Sequence, residues 1–153
     1  METTLSKDKD LTIGYATSKE LYPIYILSKE YFQYANFSFD EIKRRVDSKK
    51  VIYLVGRIDG KLAGYLDYEL YEDHAKILGL AVLSEFRGRG IGTALVKKAI
   101  EEIKARKYHR IYLFVAKANA VAQEIYIKEG FHNAGMLERK INEQDVCLFQ
   151  KDF

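Results

Sequence analysis

The chain has 153 residues, of which 48% are hydrophobic and 31% charged, and its formal net charge at pH 7 is +3. This length suits one domain with its own core, and the composition is too apolar for a disordered chain. The small positive charge does not favour a nucleic-acid partner. No apolar stretch is long enough to span a bilayer, and residues 1–10 contain no signal-peptide core, so we expect a cytoplasmic protein without membrane contact.

Apolar runs bounded by turn residues predict the strands of a large sheet. In chain order they cover residues 11–16, 51–58, 62–71, 77–83 and 110–115, with two further strands near the C-terminus. Asp59 and Gly60 lie between the second and third runs and predict a tight hairpin, because glycine accepts the positive φ of a primed turn. The second and third strands should therefore be antiparallel neighbours.

Helical periodicity appears twice between the first two strands. The first helix follows Ser18, and its apolar residues lie near one face: Leu21, Ile24, Tyr25, Tyr31 and Phe32. The second covers residues 38–46, where Ser38 followed three places later by Glu41 predicts a capping box. These two helices should form an early pair.

Two later helices alternate with strands. The third covers residues 90–105, with an apolar row at Ile91, Leu95, Ala99 and Ile103. The fourth covers residues 120–128 and ends at Gly130, the residue type best suited to a left-handed C-terminal cap. The element order predicts a mixed α/β (α+β) fold of about seven strands and four helices. We expect one domain over residues 1–153, with residues 1–10 as a flexible tail or the start of the first strand.

The side chains that often hold metals or form disulfides are few. Cys147 is the only cysteine and lies in an apolar run, so we expect a small buried core residue. The histidines, His74, His109 and His132, lack the spacing of metal ligands. No metal is predicted.

A glycine-rich turn separates the strand at residues 77–83 from the third helix. Its residues are Arg87, Gly88, Arg89, Gly90, Ile91 and Gly92. Glycines let backbone N–H groups approach phosphate oxygens, and the helix start adds a partial positive charge of about half an electron. The turn therefore predicts a phosphate site, which the two arginines could supplement.

Two common phosphate ligands do not fit this turn. A dinucleotide fingerprint would place a third glycine at Thr93, and residues 111–115 contain no acidic residue for a ribose. A Walker loop needs Gly-Lys-Ser/Thr at its end, and the chain has no such sequence. Both a nicotinamide cofactor and nucleoside triphosphate hydrolysis are disfavoured.

Two segments separated by one predicted strand together carry a family pattern. They are the turn Arg87-x-x-Gly90-x-Gly92 and the downstream residues Asn119, Tyr126, Gly130 and Phe131. In order and spacing they resemble the coenzyme-A signature of the GCN5-related N-acetyltransferase (GNAT) superfamily, and the resemblance covers nearly the whole chain. It implies a mixed sheet that is splayed at its middle. Acetyl-CoA, as cosubstrate, would lie in the V-shaped gap between the strand that precedes Arg87 and the strand that precedes Asn119.

The resemblance also implies roles for individual residues. Backbone groups of Leu80, Ala81 and Val82 would bond the pantetheine arm as if it were another strand. Those of Gly88, Arg89, Gly90, Ile91, Gly92 and Thr93 would hold the pyrophosphate. Asn119 would contact the coenzyme arm, and Tyr126 would lie near the thioester sulfur. Since a phenol of pKa about 10 is a weaker acid than a thiol of about 8.5, we expect Tyr126 to hydrogen-bond the developing thiolate.

The base that deprotonates the amine is not given by the family pattern. Relatives that acetylate ribosomal-protein N-termini often carry a glutamate where this chain has Phe114, and histone-type relatives a carboxylate near Lys76. The former also tend to show a tyrosine pair, which residues 139–141 lack, although residues 145–149 resemble their last strand. Carboxylates near the expected amine entrance are Asp67, Glu69, Glu72 and Asp73. Glu69, acting through water, is the candidate base, and the alternative is a solvated strand residue.

Three functions are compatible with these features. The favoured one is N-acetyl transfer from acetyl-CoA to a primary amine, which could be a small amine, a polyamine or a peptide amine. The second is a non-catalytic acyl-CoA-binding sensor or interaction module, which would keep the glycine turn without a working base. The third is a nucleic-acid-binding domain using the basic residues 104–110, and we expect no such partner. A monomer and a homodimer are both open.

Overall fold

The computed structural model describes residues 10–31 and 38–153. The predicted tail, apart from Asp10, and Phe32 of the first predicted helix lie outside these residues. The helices and strands are β1 (Leu11–Tyr15), α1 (Leu21–Tyr31), α2 (Phe39–Ser48), β2 (Val51–Ile58), β3 (Lys61–Leu70), β4 (Ala75–Val82), α3 (Ile91–Ala105), β5 (Arg110–Ala116), α4 (Ala120–Lys128), β6 (His132–Met136) and β7 (Val146–Asp152). The predicted mixed α/β class is confirmed.

The seven strands form one sheet in the order β1-β2-β3-β4-β5-β7-β6. The pairing of β4 with β5 is parallel, and the other neighbours run antiparallel. The predicted hairpin between β2 and β3 is confirmed, with φ of +50° at Asp59 and +78° at Gly60. Positive φ at both turn residues is what a type I′ hairpin requires.

The sheet is splayed where β4 meets β5. These strands pair only from Ala75 to Ile77, opposite Ile111 to Leu113, and a bulge at the following Leu78 interrupts the pairing of β4 with β3. A bulge bends the strand that carries it, and the later part of β4 has no register with β5. The sequence predicts this strand over residues 77–83, whereas β4 begins two residues earlier, at Ala75, and ends at Val82.

Helices cover the two faces of the sheet. On the first face α1 and α2 pack against β2, β3 and β4 around Tyr53, Tyr65 and Ala81. On the second face α3 packs with its predicted apolar row, whose four residues are at most 1% exposed. Cys147 is buried in the same core cluster, as predicted. Within the ranges the structure describes, no helix combines the length and apolar character needed to cross a bilayer.

The helix ends explain where the early pair begins. Ser38 caps α2, since its hydroxyl oxygen accepts a hydrogen bond from the Glu41 N–H at 3.1 Å. The Glu41 carboxylate pairs with Arg44 and lies 3.7 Å from Arg45, so it forms ion pairs along the surface of α2. The cap that the sequence predicts is present, and a reciprocal capping box forms instead at Thr17 and Glu20, ahead of α1.

Candidate active site

A cleft of about 580 Å³ lies in the gap between β4 and β5. Its walls come from both strands, from α4, from the end of α1 and from the connection between β6 and β7. At that connection Ile141 and Gln144 bridge a turn in which Asn142 and Glu143 have positive φ. The cleft thus exists because two neighbouring strands stop pairing, and loops from both sides of the sheet border it.

One edge of β4 faces this gap without a strand partner. Leu80, Ala81 and Val82 pair through their other edge with β3, opposite Leu66, Tyr65 and Gly64. Because the register with β5 ends at Ile77, the gap-facing N–H and C=O groups beyond it have no strand beside them within the described chain. An extended ligand carrying amides could add to this edge as a strand does.

The glycine turn lies at the end of β4 and leads directly into α3. Gly88 and Gly90 have φ of +81° and +78°, a conformation that L side chains rarely adopt. Gly90 precedes the helix, and no side chain caps the N–H groups of the first turn. A Cβ built on Gly92 would lie 3.8 Å from Leu80, so the helix start is next to the cleft wall. Uncapped N–H groups at the start of a helix form an anion site.

The two arginines of the turn are engaged by neighbouring groups. Arg87 donates through Nε to the carbonyl of Val82 at 3.3 Å and through its guanidinium to the Tyr31 hydroxyl. Arg89 lies over the ring of Phe86 at 5.5 Å. Arg87 therefore links the glycine turn to the end of α1, a contact that the sequence did not reveal.

Tyr126 of α4 lines the cleft together with Ile77, Leu78 and Gly79 of β4. Its side chain is 5% exposed, and its ring packs edge-on against Phe131 at 5.7 Å. Burial, assisted by the negative charge of Asp67, raises the pKa of Tyr126 above its ordinary value. The hydroxyl therefore stays protonated at neutral pH and keeps its capacity to donate a hydrogen bond.

Asn119 also lines the cleft, and it caps α4. Its side-chain oxygen accepts a hydrogen bond from the N–H of Ala122 at 3.1 Å. That bond leaves the side-chain NH2 as the group able to reach a ligand. Gln123 ties the same helix start to β5 by donating to the carbonyls of Ala116 and Lys117.

Glu69 of β3 lies outside the cleft wall. Its carboxylate accepts a hydrogen bond from the Tyr71 hydroxyl at 2.6 Å and lies 3.6 Å from the ammonium of Lys50. In this arrangement the Glu69 carboxylate is therefore not placed to contact a ligand in the cleft directly. Its role as a base remains a prediction and requires an intervening water.

The more unusual carboxylate is Asp67, two residues earlier on the same face of β3. It is 5% exposed, and its oxygen lies 3.6 Å from Nη1 of Arg45 on α2. Burial raises the pKa of Asp67 to about 7, although the charge of Arg45 and hydrogen bonds from the Tyr53 hydroxyl and the Gly79 N–H oppose that rise. Asp67 thus sits behind the bulge of β4, next to the cleft.

The structure brings together three of the residues expected from the sequence in the cleft wall: Leu80, Asn119 and Tyr126. The glycine turn adjoins that wall at Gly92, whereas Ala81, Val82 and Glu69 are not among the lining residues. The sequence missed the contributions of Glu30 and Tyr31 from α1 and of the β6–β7 connection. No local pattern marks these residues, because only the folded topology carries them to the gap.

The sequence is similar to those of known acetyltransferases. A family model described as the Acetyltransferase (GNAT) family matches residues 15–131. A Bacillus subtilis (strain 168) protein, provisionally named ribosomal protein bS18-alanine N-acetyltransferase, is 37% identical over 84 residues, which are 55% of this chain and 56% of that protein. An N-alpha-acetyltransferase from Sulfurisphaera tokodaii is 27% identical over 131 residues, 85% of this chain and 77% of that protein.

A solved structure shares the fold. Arabidopsis thaliana Naa50, in complex with the bisubstrate analogue CoA-Ac-MVNAL, superposes with a TM-score of 0.80 at 20% identity over 94% of this chain and 99% of that one. The chain matches only part of the length of three curated relatives: the matched share of each relative is between 38% and 65%.

Proposed function

The chain belongs to the acetyltransferase (GNAT) family, and on that premise we propose that it transfers an acetyl group from acetyl-CoA to the α-amino group of a protein or peptide. The single observation that carries the proposal is the cleft that is lined both by the unpaired edge of β4 and by the buried Tyr126. That cleft adjoins an uncapped helix start, which suits a ligand with both amides and phosphates.

The acceptor is inferred from the small number of cleft side chains that could take a proton from an amine. Among the described residues that line it, Glu30 is the one carboxylate. A lysine-like amine of pKa about 10.4 costs about 4 to 5 kcal/mol to deprotonate at pH 7, whereas an α-amine near 7.8 costs about 1 kcal/mol. An α-amine therefore fits a site with little basic assistance. The relatives whose names include an alanine or α-amine acceptor point the same way.

The reaction needs no covalent enzyme intermediate. The neutral amine attacks the thioester carbon, the new C–N bond forms, and the C–S bond breaks to release coenzyme A as thiolate. We assign the backbone of Leu80, Ala81 and Val82 to the pantetheine arm, that of Gly88 to Thr93 to the pyrophosphate, and Asn119 to the coenzyme arm. Tyr126 donates a hydrogen bond to the leaving sulfur.

Glu69, through a water molecule, is the proposed acceptor of the amine proton. We expect Glu69→Gln to lower kcat/KM about tenfold below pH 7 and to have little effect above pH 8.5, where an α-amine is already neutral. The measurement is the pH profile of kcat/KM with one peptide. Glu101→Gln, an exposed carboxylate of α3, is the matched control. A profile unchanged by Glu69→Gln would remove Glu69 from the mechanism.

A thiol-release assay with three acceptors tests the function. The acceptors are a peptide with a free α-amine and no lysine, the same peptide blocked at its N-terminus and given an internal lysine, and a polyamine. We expect coenzyme A release with the first alone. Saturable acetyl-CoA binding without release from any acceptor would instead favour a non-catalytic acyl-CoA-binding module.

A further inference from the structure

Lys76 lies next to the cleft without being one of its lining residues, at the point where β4 and β5 still pair. Its position on β4 immediately precedes Ile77 and Leu78, which line the cleft. Its ammonium nitrogen lies 4.2 Å from the ring centroid of Phe114 on β5. Phe114 lines the cleft and is 41% exposed, and the half-buried Lys76 lies beside its ring on the first face of the sheet.

The charge of Lys76 is incompletely compensated. Burial lowers the pKa of Lys76, and the negative charge of Glu69 opposes that shift. Glu69 itself is engaged by Lys50 and by the Tyr71 hydroxyl. In the part of the chain that the structure describes, no carboxylate lies within ion-pair distance of the Lys76 nitrogen. A half-buried cation next to a ligand cleft gains most from a ligand anion.

Distance along the strand indicates which part of an acceptor would meet this cation. Lys76 lies two positions from Leu78, and extended backbone rises about 3.3 Å per residue, so the separation is about 7 Å. An extended peptide whose amino group lies beside Leu78 and Tyr126 would bring its second or third residue to Lys76. The ring of Phe114 would pack against the peptide between these points.

Resting on the proposed function, we infer that Lys76 and Phe114 select acceptors with an acidic residue at the second or third position. A carboxylate there would pair with Lys76 in a partly dehydrated site. A lysine at the same position would meet a like charge, and so would a polyamine. Lys76 is thus assigned to specificity, while the chemistry remains with the coenzyme, Tyr126 and Glu69.

The test uses three peptides that differ only at positions two and three: Ala-Asp-Asp, Ala-Asn-Asn and Ala-Lys-Lys, each followed by one common sequence. For the unmodified enzyme we expect kcat/KM to fall about tenfold at each step from acidic to neutral to basic. Lys76→Met should bring the three values within about threefold of one another, and Lys76→Glu should invert the order. Lys97→Met on α3, whose lysine pairs with Glu129, should keep the original order.

The outcomes separate the two claims. Acetylation of all three peptides with equal efficiency, or an acidic preference that survives in Lys76→Glu, would overturn the selection by Lys76 and leave the peptide acetyltransferase intact. Failure of the unmodified enzyme to acetylate any peptide, with acetyl-CoA binding preserved, would refute the proposed function itself. Equal acetyl-CoA affinity in the unmodified enzyme and in both Lys76 variants establishes that the variants are folded, so that a collapsed or inverted order supports the inference.

Discussion

Replacing Tyr126 with phenylalanine is expected to lower kcat about 100-fold, while the KM for acetyl-CoA changes less than about threefold. Tyr126 lines the cleft, its ring packs against Phe131, and phenylalanine preserves that packing. Because burial holds the pKa of Tyr126 above that of a thiol, full proton transfer to the sulfur is uphill. A hydrogen bond to the developing thiolate strengthens as charge appears, so its loss affects the transition state and leaves the ground state nearly unchanged.

The matched control is Tyr108→Phe, which removes a hydroxyl that bonds the Tyr71 carbonyl at 2.8 Å. We expect that variant to keep its turnover. Steady-state kinetics with one peptide acceptor provide both parameters for each enzyme. Unchanged kcat in Tyr126→Phe, or a loss confined to KM, would show that Tyr126 is a packing residue of α4.

Asp67 is expected to make the protein less stable as the pH rises from 5 to 8. Burial raises the pKa of Asp67 to about 7 in the folded chain, against an ordinary value near 3.8. Between these values the folded state binds more protons than the unfolded state, so the free energy of unfolding falls as the pH increases. From pH 5 to pH 8 this amounts to about 2 to 3 kcal/mol, and most of it is lost before the pH passes 7.

Asp67→Asn should remove this dependence, because an amide resembles the neutral acid and does not ionise. Urea unfolding at pH 5 and pH 8 gives the free energy of unfolding of both proteins. The value for Asp67→Asn minus the value for the unmodified chain should be about 2 to 3 kcal/mol more favourable to the variant at pH 8 than at pH 5. Asp40→Asn, an exposed residue of α2, should retain the slope of the unmodified chain. A pH-independent difference between Asp67→Asn and the unmodified chain would mean that Asp67 is ionised throughout.

Local sequence rules located the elements well wherever one short pattern decides the conformation. Asp59 and Gly60 specify a hairpin through their φ angles, Ser38 specifies a helix start through its hydroxyl, and Gly130, with φ of +94°, ends α4. The boundaries shift where tertiary contacts override the apolar pattern. The sequence pattern starts this strand at residue 77, yet β4 begins at Ala75, and the Lys76 ammonium lies over the ring of Phe114.

The candidate site was predictable where backbone conformation carries the function, as in the glycine turn. It was not predictable where function depends on long-range pairing. Arg45 and Asp67 lie on different elements and meet only when α2 packs on the sheet, and neither residue signals burial in its own neighbourhood. The same holds for Lys76 and Phe114, which become neighbours through the short parallel register of β4 and β5.

The contact between Tyr31 and Arg87 has a thermodynamic consequence. Tyr31 lines the cleft, and Arg87 belongs to the turn proposed to hold the pyrophosphate. A ligand that draws the Arg87 guanidinium toward its phosphates would break or shift the hydrogen bond that Arg87 donates to Tyr31. Whatever coupling free energy this change carries acts in both directions, so coenzyme and acceptor must alter each other's affinity by the same factor. If the coenzyme contacts Arg87 and the acceptor contacts Tyr31, this one hydrogen bond is the element through which the two binding events are coupled.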